Sequence, residues 1–313
     1  MKIAVVGYGN LGKAIAKRQA ELPGFELVGI FSRRKVKSEF ARVFAMGELD
    51  KFKGKLDALL LAGGSSGDLP IFSPKLAESF NIVDSFDTHA GIKEHYERVD
   101  AAAKSGKTSA IISCGWDPGL FSVIRFFGKS FLSPVETASF WGRGVSQGHS
   151  EAIKRIDGVL HAIEYTVPKE LYVNKALSGE RVNSKNAHLR ECYVVAESER
   201  EHEIEEKIKN IPEYFQGYET RVHFIDEKEF LKRHNKAFHG GRVISFGKTS
   251  KEEKATALMD FKLEINSNPE FTAGIMLAYS RAVKHFSDLN IFGAKTPLQV
   301  PPSFLGGDIF NIL

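Results

Sequence analysis

Cysteine is nearly absent: the 313 residues hold two, Cys114 and Cys192, far apart and without metal-ligand spacing. That excludes a disulfide framework and fits a reducing compartment. No apolar run approaches the ~20 residues that a membrane span needs. The first residues, Lys2 to Val6, read as a strand and not as the apolar core of a signal peptide, so a cytoplasmic protein is expected. Charge of one sign is lacking too. Lys and Arg number 43, Asp and Glu 39, for a net charge of +4. The basic residues are scattered, which leaves no nucleic-acid footprint. No HExxH, cysteine cluster or carboxylate cluster suggests a metal, and no GxSxG elbow suggests a serine hydrolase.

The chain is long enough for two cores. Its first part alternates apolar runs (residues 2–7, 26–32, 56–64, 81–85 and 108–115) with helical patterns at 10–22, 71–79, 91–105 and 118–129. Continuous Val/Ile/Leu strands alternating with helices predict an α/β fold, a Rossmann-like, doubly wound parallel sheet covered on both faces. The rhythm then changes. Residues 135–144, 158–168, 190–198, 220–227 and 254–267 alternate polar with apolar, as in an open antiparallel sheet with one face buried. An α+β domain with a mainly antiparallel sheet is expected there. A helix is predicted over 269–288, with Pro269 at an early helical position, and the proline-rich "TPLQVPPSFL" reads as extended. The predicted domains are residues 1–120, with the tail from about 289 to 313 packing back on them, and residues 121–288.

"VVGYGNLGKAI" (5–15) places Gly7, Gly9 and Gly12 in GxGxxG spacing, after a strand and at the opening of a helix. Only in that context does the pattern carry weight. Gly7 permits the turn, Gly9 lets backbone approach a pyrophosphate, Gly12 lets helix and strand pack, and the helix N–H groups attract phosphate. Where a free ribose 2′-hydroxyl would meet an acid, the second strand ends in Ser32-Arg33-Arg34. A hydroxyl and two guanidinium groups suit a 2′-phosphate, which points to NADP over NAD. The next strand ends read Ala62-Gly63-Gly64-Ser65, Ser85-Phe86-Asp87 and Cys114-Gly115-Trp116-Asp117-Pro118. These ends should supply further cofactor contacts, since ligands lie outside the carboxyl ends of such sheets. Asp87 and Asp117 can serve a cationic substrate group there, although either could simply cap the following helix.

The second domain offers weaker signals. "FWGRGVSQGHS" (140–150) joins an aromatic to a glycine-rich loop with Gln147, Gly148 and His149 expected exposed; its bland reading is a strand-to-helix turn. Thr166 ends a strand, Arg190 starts one, and His239 precedes two glycines in what reads as a loop. Each alone is ordinary. Together they would make an anion site.

Read in order, "VVGYGNLGKA", "GIFSRR", "SCGWDPGLFS", "FWGRGVSQGHS" and "NPEFTA" resemble the meso-diaminopimelate D-dehydrogenase family over about residues 3–280. "GWDPG" followed by "GxSQGHS" is far more specific than the dinucleotide turn. The resemblance implies NADP-dependent, reversible oxidative deamination at the D-centre of meso-2,6-diaminopimelate, in a homodimer. It places cofactor contacts on Tyr8, Gly9, Asn10 and Leu11, on Ser32 to Arg34 and on Ala62 to Ser65. It places the substrate on Asp87, Asp117, Trp141, Gln147, Gly148, Thr166, Arg190, His239 and Asn268, with Asp87 and Asp117 at the reacting carbon. Rival readings are a related NADP-dependent oxidoreductase with another amino-acid or carbonyl substrate, and a non-catalytic NADP sensor.

Overall fold

The computed structural model describes residues 1–212, 214–234, 238–250, 255–307 and 309–312. Its first sheet holds seven parallel strands: β1 (Lys2–Val6), β2 (Glu26–Ser32), β3 (Val43–Ala45), β4 (Ala58–Leu61), β5 (Ile82–Asp84), β6 (Ser109–Ile111) and, from far along the chain, β14 (Gly293–Lys295). The order β14-β6-β5-β4-β1-β2-β3 reverses direction between β1 and β4, the crevice where doubly wound sheets take ligands.

Successive side chains of a strand point to opposite faces, and β1 shows it directly. Ile3 and Val5 join Ile15, Ile30, Leu60, Met276 and Leu277 in one core. Ala4 and Val6 join Phe31, Leu59, Leu61, Leu76 and Val99 in the other. Helix α1 (Asn10–Ala20) and the long α9 (Asn268–Asp288) cover the first face, while α2 (Leu69–Ala77) and α3 (Ile92–Gly106) cover the second.

The chain divides into two compact units, Met1–Val123 with Pro269–Leu313, and Ile124–Asn268. This corrects the predicted end of the second domain at 288. Ala273, Met276, Leu277, Ala282 and Val283 are fully buried in the first sheet's core, so the helix groups with that sheet. The tail differs too. Residues 297–299 and 302–305 form short 3-10 turns, where an extended run was predicted, and Val300, Phe304 and Leu305 pack on the same core. Proline's fixed φ suits such a turn as well as it suits an extended chain.

The second unit holds two sheets where the alternation predicted one. Strands β7 (Val135–Trp141), β12 (His239–Lys248) and β13 (Thr256–Ile265) are antiparallel in the order β13-β12-β7. Strands β8 (Gly144–Val145), β9 (Val159–Pro168), β10 (His188–Ala196) and β11 (Glu219–Phe224) follow the order β11-β10-β9-β8, with only the β10–β11 pair parallel. The segment read as a loop around His239 is the middle strand of its sheet. Its two glycines interrupt the apolar run that Val243 and Ile244, both fully buried, carry into the core. Helices α4 (Leu120–Phe131), α5 (Gln147–Lys154), α6 (Glu170–Leu177), α7 (Glu201–Lys209) and α8 (Glu227–Arg233) complete the set. Residues of α5 and α7 close a core over Cys192 and Val194 of β10.

The burial of α9 has a measurable consequence. Leu277→Ala should lower the unfolding free energy by about 3 kcal/mol, the usual cost of a leucine cavity in a rigid core. Urea denaturation of the variant beside wild type checks this.

Candidate active site

In the first unit the site begins at the β1–α1 turn. Gly7 has φ +94°, and a Cβ on Gly12 would collide with the Gly7 carbonyl. Nothing lies within 4 Å of the position a Gly9 Cβ would take, so the turn keeps an open side. No side chain caps α1, whose first N–H groups are therefore available to an anion. This cradle fits a pyrophosphate. The side chains of Tyr8 and Leu11 go to the core, where the Tyr8 hydroxyl donates to Ser38 Oγ at 2.7 Å. Only their backbone is left for the cofactor contacts that the resemblance implies.

Ser32 ends β2 and its Oγ accepts the Arg34 N–H at 3.1 Å. Arg33 reaches over the Phe72 ring, 5.5 Å from its centroid, and its Nη2 donates to Asp68 Oδ1 at 2.6 Å. Gly7, Ser32, Arg33, Gly63, Asp68 and Phe72 all line one pocket. Asp68 is one residue that sequence reasoning missed. The pattern shows no acid at the end of β2, yet one arrives from the segment before α2.

The remaining strand ends are tied together. Gly64 O accepts the Asp68 N–H at 2.9 Å, and Ser65 Oγ accepts the Asp87 N–H at 3.1 Å. Asp87 is exposed and Asp117 half-buried. The Asp117–Pro118 bond is cis, and Gly115 N–H donates to Pro118 O at 3.2 Å, closing a tight loop before α4. Phe86 and Cys114, predicted to touch cofactor, turn inward. Phe86 stacks on His95 with centroids 4.1 Å apart, and burial pushes the Cys114 thiol well above its usual range, so it is no nucleophile. Trp116 packs edge-on to Phe121 at 5.2 Å.

In the second unit the antiparallel register sets Thr166 of β9 opposite Arg190 of β10. Arg190 Nη1 donates to Thr166 Oγ1, and the guanidinium stands over Tyr218, 4.3 Å from its centroid. Its Nε is buried with no hydrogen-bond partner. Beneath them is Glu164, 0% exposed, which takes the Thr166 hydroxyl at 3.1 Å, lies 3.7 Å from Arg190 Nη1 and meets His149 Nδ1 at 3.1 Å. Glu164 was not predicted. Its signal was the period-two spacing that puts it on the same strand face as Thr166.

His239 comes to the same place. Gly144 pairs with Thr166 across β8 and β9, and a Cβ on Gly144 would lie 2.6 Å from His239 Cα. The structure therefore brings Thr166, Arg190 and His239 together, as expected. His239 Nδ1 accepts the Gly240 N–H at 2.7 Å, and burial lowers its pKa. Trp141, at the end of β7, donates its N–H to His188 Nε2 at 3.1 Å. Gln147 opens α5, its side chain lying outside the described residues; Gly148 follows, exposed. His149 is half-buried, not exposed as predicted, because Glu164 holds its ring. Asn268 is the first residue of α9.

Comparison with known proteins supplies the family. The diaminopimelic acid dehydrogenase C-terminal domain matches residues 115–267. A meso-diaminopimelate D-dehydrogenase of Acetivibrio thermocellus is 43% identical over 97% of this chain and 94% of its own length. The chain belongs to the meso-diaminopimelate D-dehydrogenase family. Two solved structures extend the likeness. The C. glutamicum DAP dehydrogenase in complex with DAP has a TM-score of 0.94 at 38% identity, covering 100% of this chain and 98% of that one. An engineered D-amino acid dehydrogenase bound to NADP+ has a TM-score of 0.89 at 37% identity, with the same coverage.

Two predictions follow from this family member's own contacts. Arg33 shares its charge with Asp68, but the pair is exposed and worth little. D68N should therefore tighten NADPH by no more than about fivefold and leave NADH binding unchanged, read by fluorescence titration. The second concerns acid. His188 donates from Nδ1 to Ser184 O at 2.8 Å and accepts at Nε2, so it is neutral, and burial lowers its pKa from the usual 6.5. His239 is shifted the same way by burial. The unfolded chain then binds protons that the native state does not. Stability is full above pH 6.5 and falls as pH drops through the native pKa. Melting curves at stepped pH should show this loss, with a shallower acid slope in H188Q.

Proposed function

We infer that this protein is an NADP-dependent meso-diaminopimelate D-dehydrogenase. It oxidatively and reversibly deaminates the D-centre of meso-2,6-diaminopimelate, taking up water and giving L-2-amino-6-oxopimelate, ammonia, NADPH and a proton. The product cyclises to tetrahydrodipicolinate, which serves lysine and cell-wall precursor synthesis. The observation that carries this reading, within the family, is Arg190: a buried guanidinium with an unspent N–H beside a hydroxyl is built for a carboxylate.

The Gly7–Gly12 turn, Ser32 to Arg34, Ala62 to Ser65 and the loops at Ser85–Asp87 and Cys114–Pro118 hold NADP. When bound, NADP supplies the hydride acceptor. Asp87 and Asp117 hold the ammonium of the D-centre and orient its C–H bond, since a charge leaving water needs a partner. Asp117 takes protons from the amine or the attacking water as the imine is hydrolysed. Thr166, Arg190 and His239 clamp the carboxylate of the distal L-centre, and Asn268 adds a substrate contact. Trp141, Gln147 and Gly148 wall the reacting end. Positioning supplies much of the rate.

No helix among the described residues is long and apolar enough to cross a membrane; a cytoplasmic homodimer is part of the proposal.

The test is NADPH formation with meso-, LL- and DD-diaminopimelate offered separately, and NAD beside NADP. Turnover confined to the meso isomer with NADP is expected; silence on all three overturns the assignment. Arg190→Ala should raise KM for substrate at least about 30-fold with kcat little changed, because it removes a buried charge contact made in ground and transition states alike. Asp117→Asn should instead lower kcat by about 100-fold or more.

A further inference from the structure

Asp84 ends β5 with a carboxylate that is 0% exposed. Burying such a charge is costly unless it is fully paired. Here it is. Oδ2 takes the Ser73 hydroxyl at 2.6 Å and meets His95 Nε2 at 2.7 Å. Oδ1 accepts two backbone amides, Phe86 N–H at 3.1 Å and Ser113 N–H at 2.9 Å. The Asp84 carbonyl takes a third, Cys114 N–H at 2.8 Å. A well-packed apolar residue would suit the centre of a sheet at lower cost, so the carboxylate calls for another explanation.

The pattern of its partners gives one. Phe86 immediately precedes Asp87, and Ser113 and Cys114 open the loop that carries Asp117. One oxygen thus fastens the starts of both acid-bearing loops. Ser113 is held at φ +59°, an unfavourable region for a residue with a side chain, and its own Oγ is buried without a partner. The backbone there depends on the amide bond to Asp84. On the other side, helices α2 and α3 grip the carboxylate through Ser73 and His95, and His95 is itself stacked on Phe86. The carboxylate cannot turn without breaking those bonds.

We propose that Asp84 is a positioning residue for the dehydrogenase reaction: by binding the Phe86 and Ser113 amides through one oxygen, it fixes the spacing of Asp87 and Asp117 around the reacting carbon. Asp84 does not touch substrate. This rests on the roles proposed above for Asp87 and Asp117.

Asp84→Ala releases both loops, whereas D84N keeps an oxygen for both amides. Its NH2 group faces Ser73, whose hydroxyl can rotate to accept, and His95 Nε2, a ring nitrogen that accepts in one tautomer. In D84A, kcat should fall about 100-fold, the scale set by a misplacement of about one ångström. The NADPH dissociation constant, from fluorescence titration, should rise by no more than about tenfold, less than kcat falls, because the two loops loosen while Gly7–Gly12 and Ser32–Arg34 keep their contacts. D84N should recover kcat to within about fivefold of wild type, since positioning needs the oxygen and not the charge. Amide exchange at Phe86 and Ser113 should quicken in D84A and not in D84N.

A D84A enzyme within about threefold of wild-type kcat overturns the proposal. So does a D84N variant as slow as D84A, or exchange at those amides that does not change. If D84A is not recovered folded, His95→Phe carries the test. It keeps the stack on Phe86 and removes one anchor of Oδ2, and kcat should drop roughly 3- to 10-fold with a smaller change in NADPH affinity; no drop overturns the proposal equally. Failure of wild type to turn over any isomer defeats the assignment of function instead, and the exchange data still decide whether Asp84 pins the loops.

Discussion

A parallel sheet needs helices on both faces, and that constraint organises the whole chain. After β6 the first face has α1 but not enough else to cover Ile3, Val5, Leu60 and Ile111. The missing cover is α9, reached only after the chain has built a complete second unit of 145 residues, Ile124–Asn268. β14 then adds the last parallel strand beside β6. The second unit is in this sense an insertion into the first. The sheet it interrupts cannot be finished until the chain returns, which makes the N- and C-terminal segments one folding problem.

Each unit also spends one fully buried carboxylate beneath its functional strand ends. Asp84 holds backbone amides at the ends of β5 and β6; Glu164 holds the hydroxyl of Thr166 and faces Arg190 and His149. Neither acid is placed to do chemistry on a substrate. Both convert a costly buried charge into fixed geometry, and the cost is met by the number of donors each one receives. In the second unit the pairing has a further effect. Glu164 offsets the charge of Arg190 while leaving its Nε unspent, so the guanidinium is steered to one orientation before any anion arrives.

How much of this was legible depended on whether a residue's role is local. The glycine turn at 7–12 was legible because its spacing, its strand and its helix are all contiguous. The five inner parallel strands were legible as apolar runs. β3 and β14 were not: they stand at the two edges of the sheet, where no continuous apolar run is needed. β12 was hidden for a different reason, since Gly240 and Gly241 look like a loop until a partner strand is seen on each side. Thr166 and Arg190 were nameable singly, but their meeting depends on the register of β9 against β10. Asp84 and Glu164 were passed over because a lone acid in a strand reads as a solvated residue, and Asp68 because it is far in sequence from the end of β2. Only the folded chain shows what surrounds each.

The proposed substrate poses a discrimination problem that charge alone does not answer. Both its ends carry an ammonium and a carboxylate, so end-for-end reversal brings the same groups to the same partners. Only configuration differs between the ends: with the ammonium and the carbon chain held, inverting a centre exchanges the places of its hydrogen and its carboxylate. In the roles proposed above, Asp87 and Asp117 hold that ammonium, so the hydrogen is selected only while the two acids keep their spacing. Rigidity there is what the buried carboxylate under β5 and β6 provides.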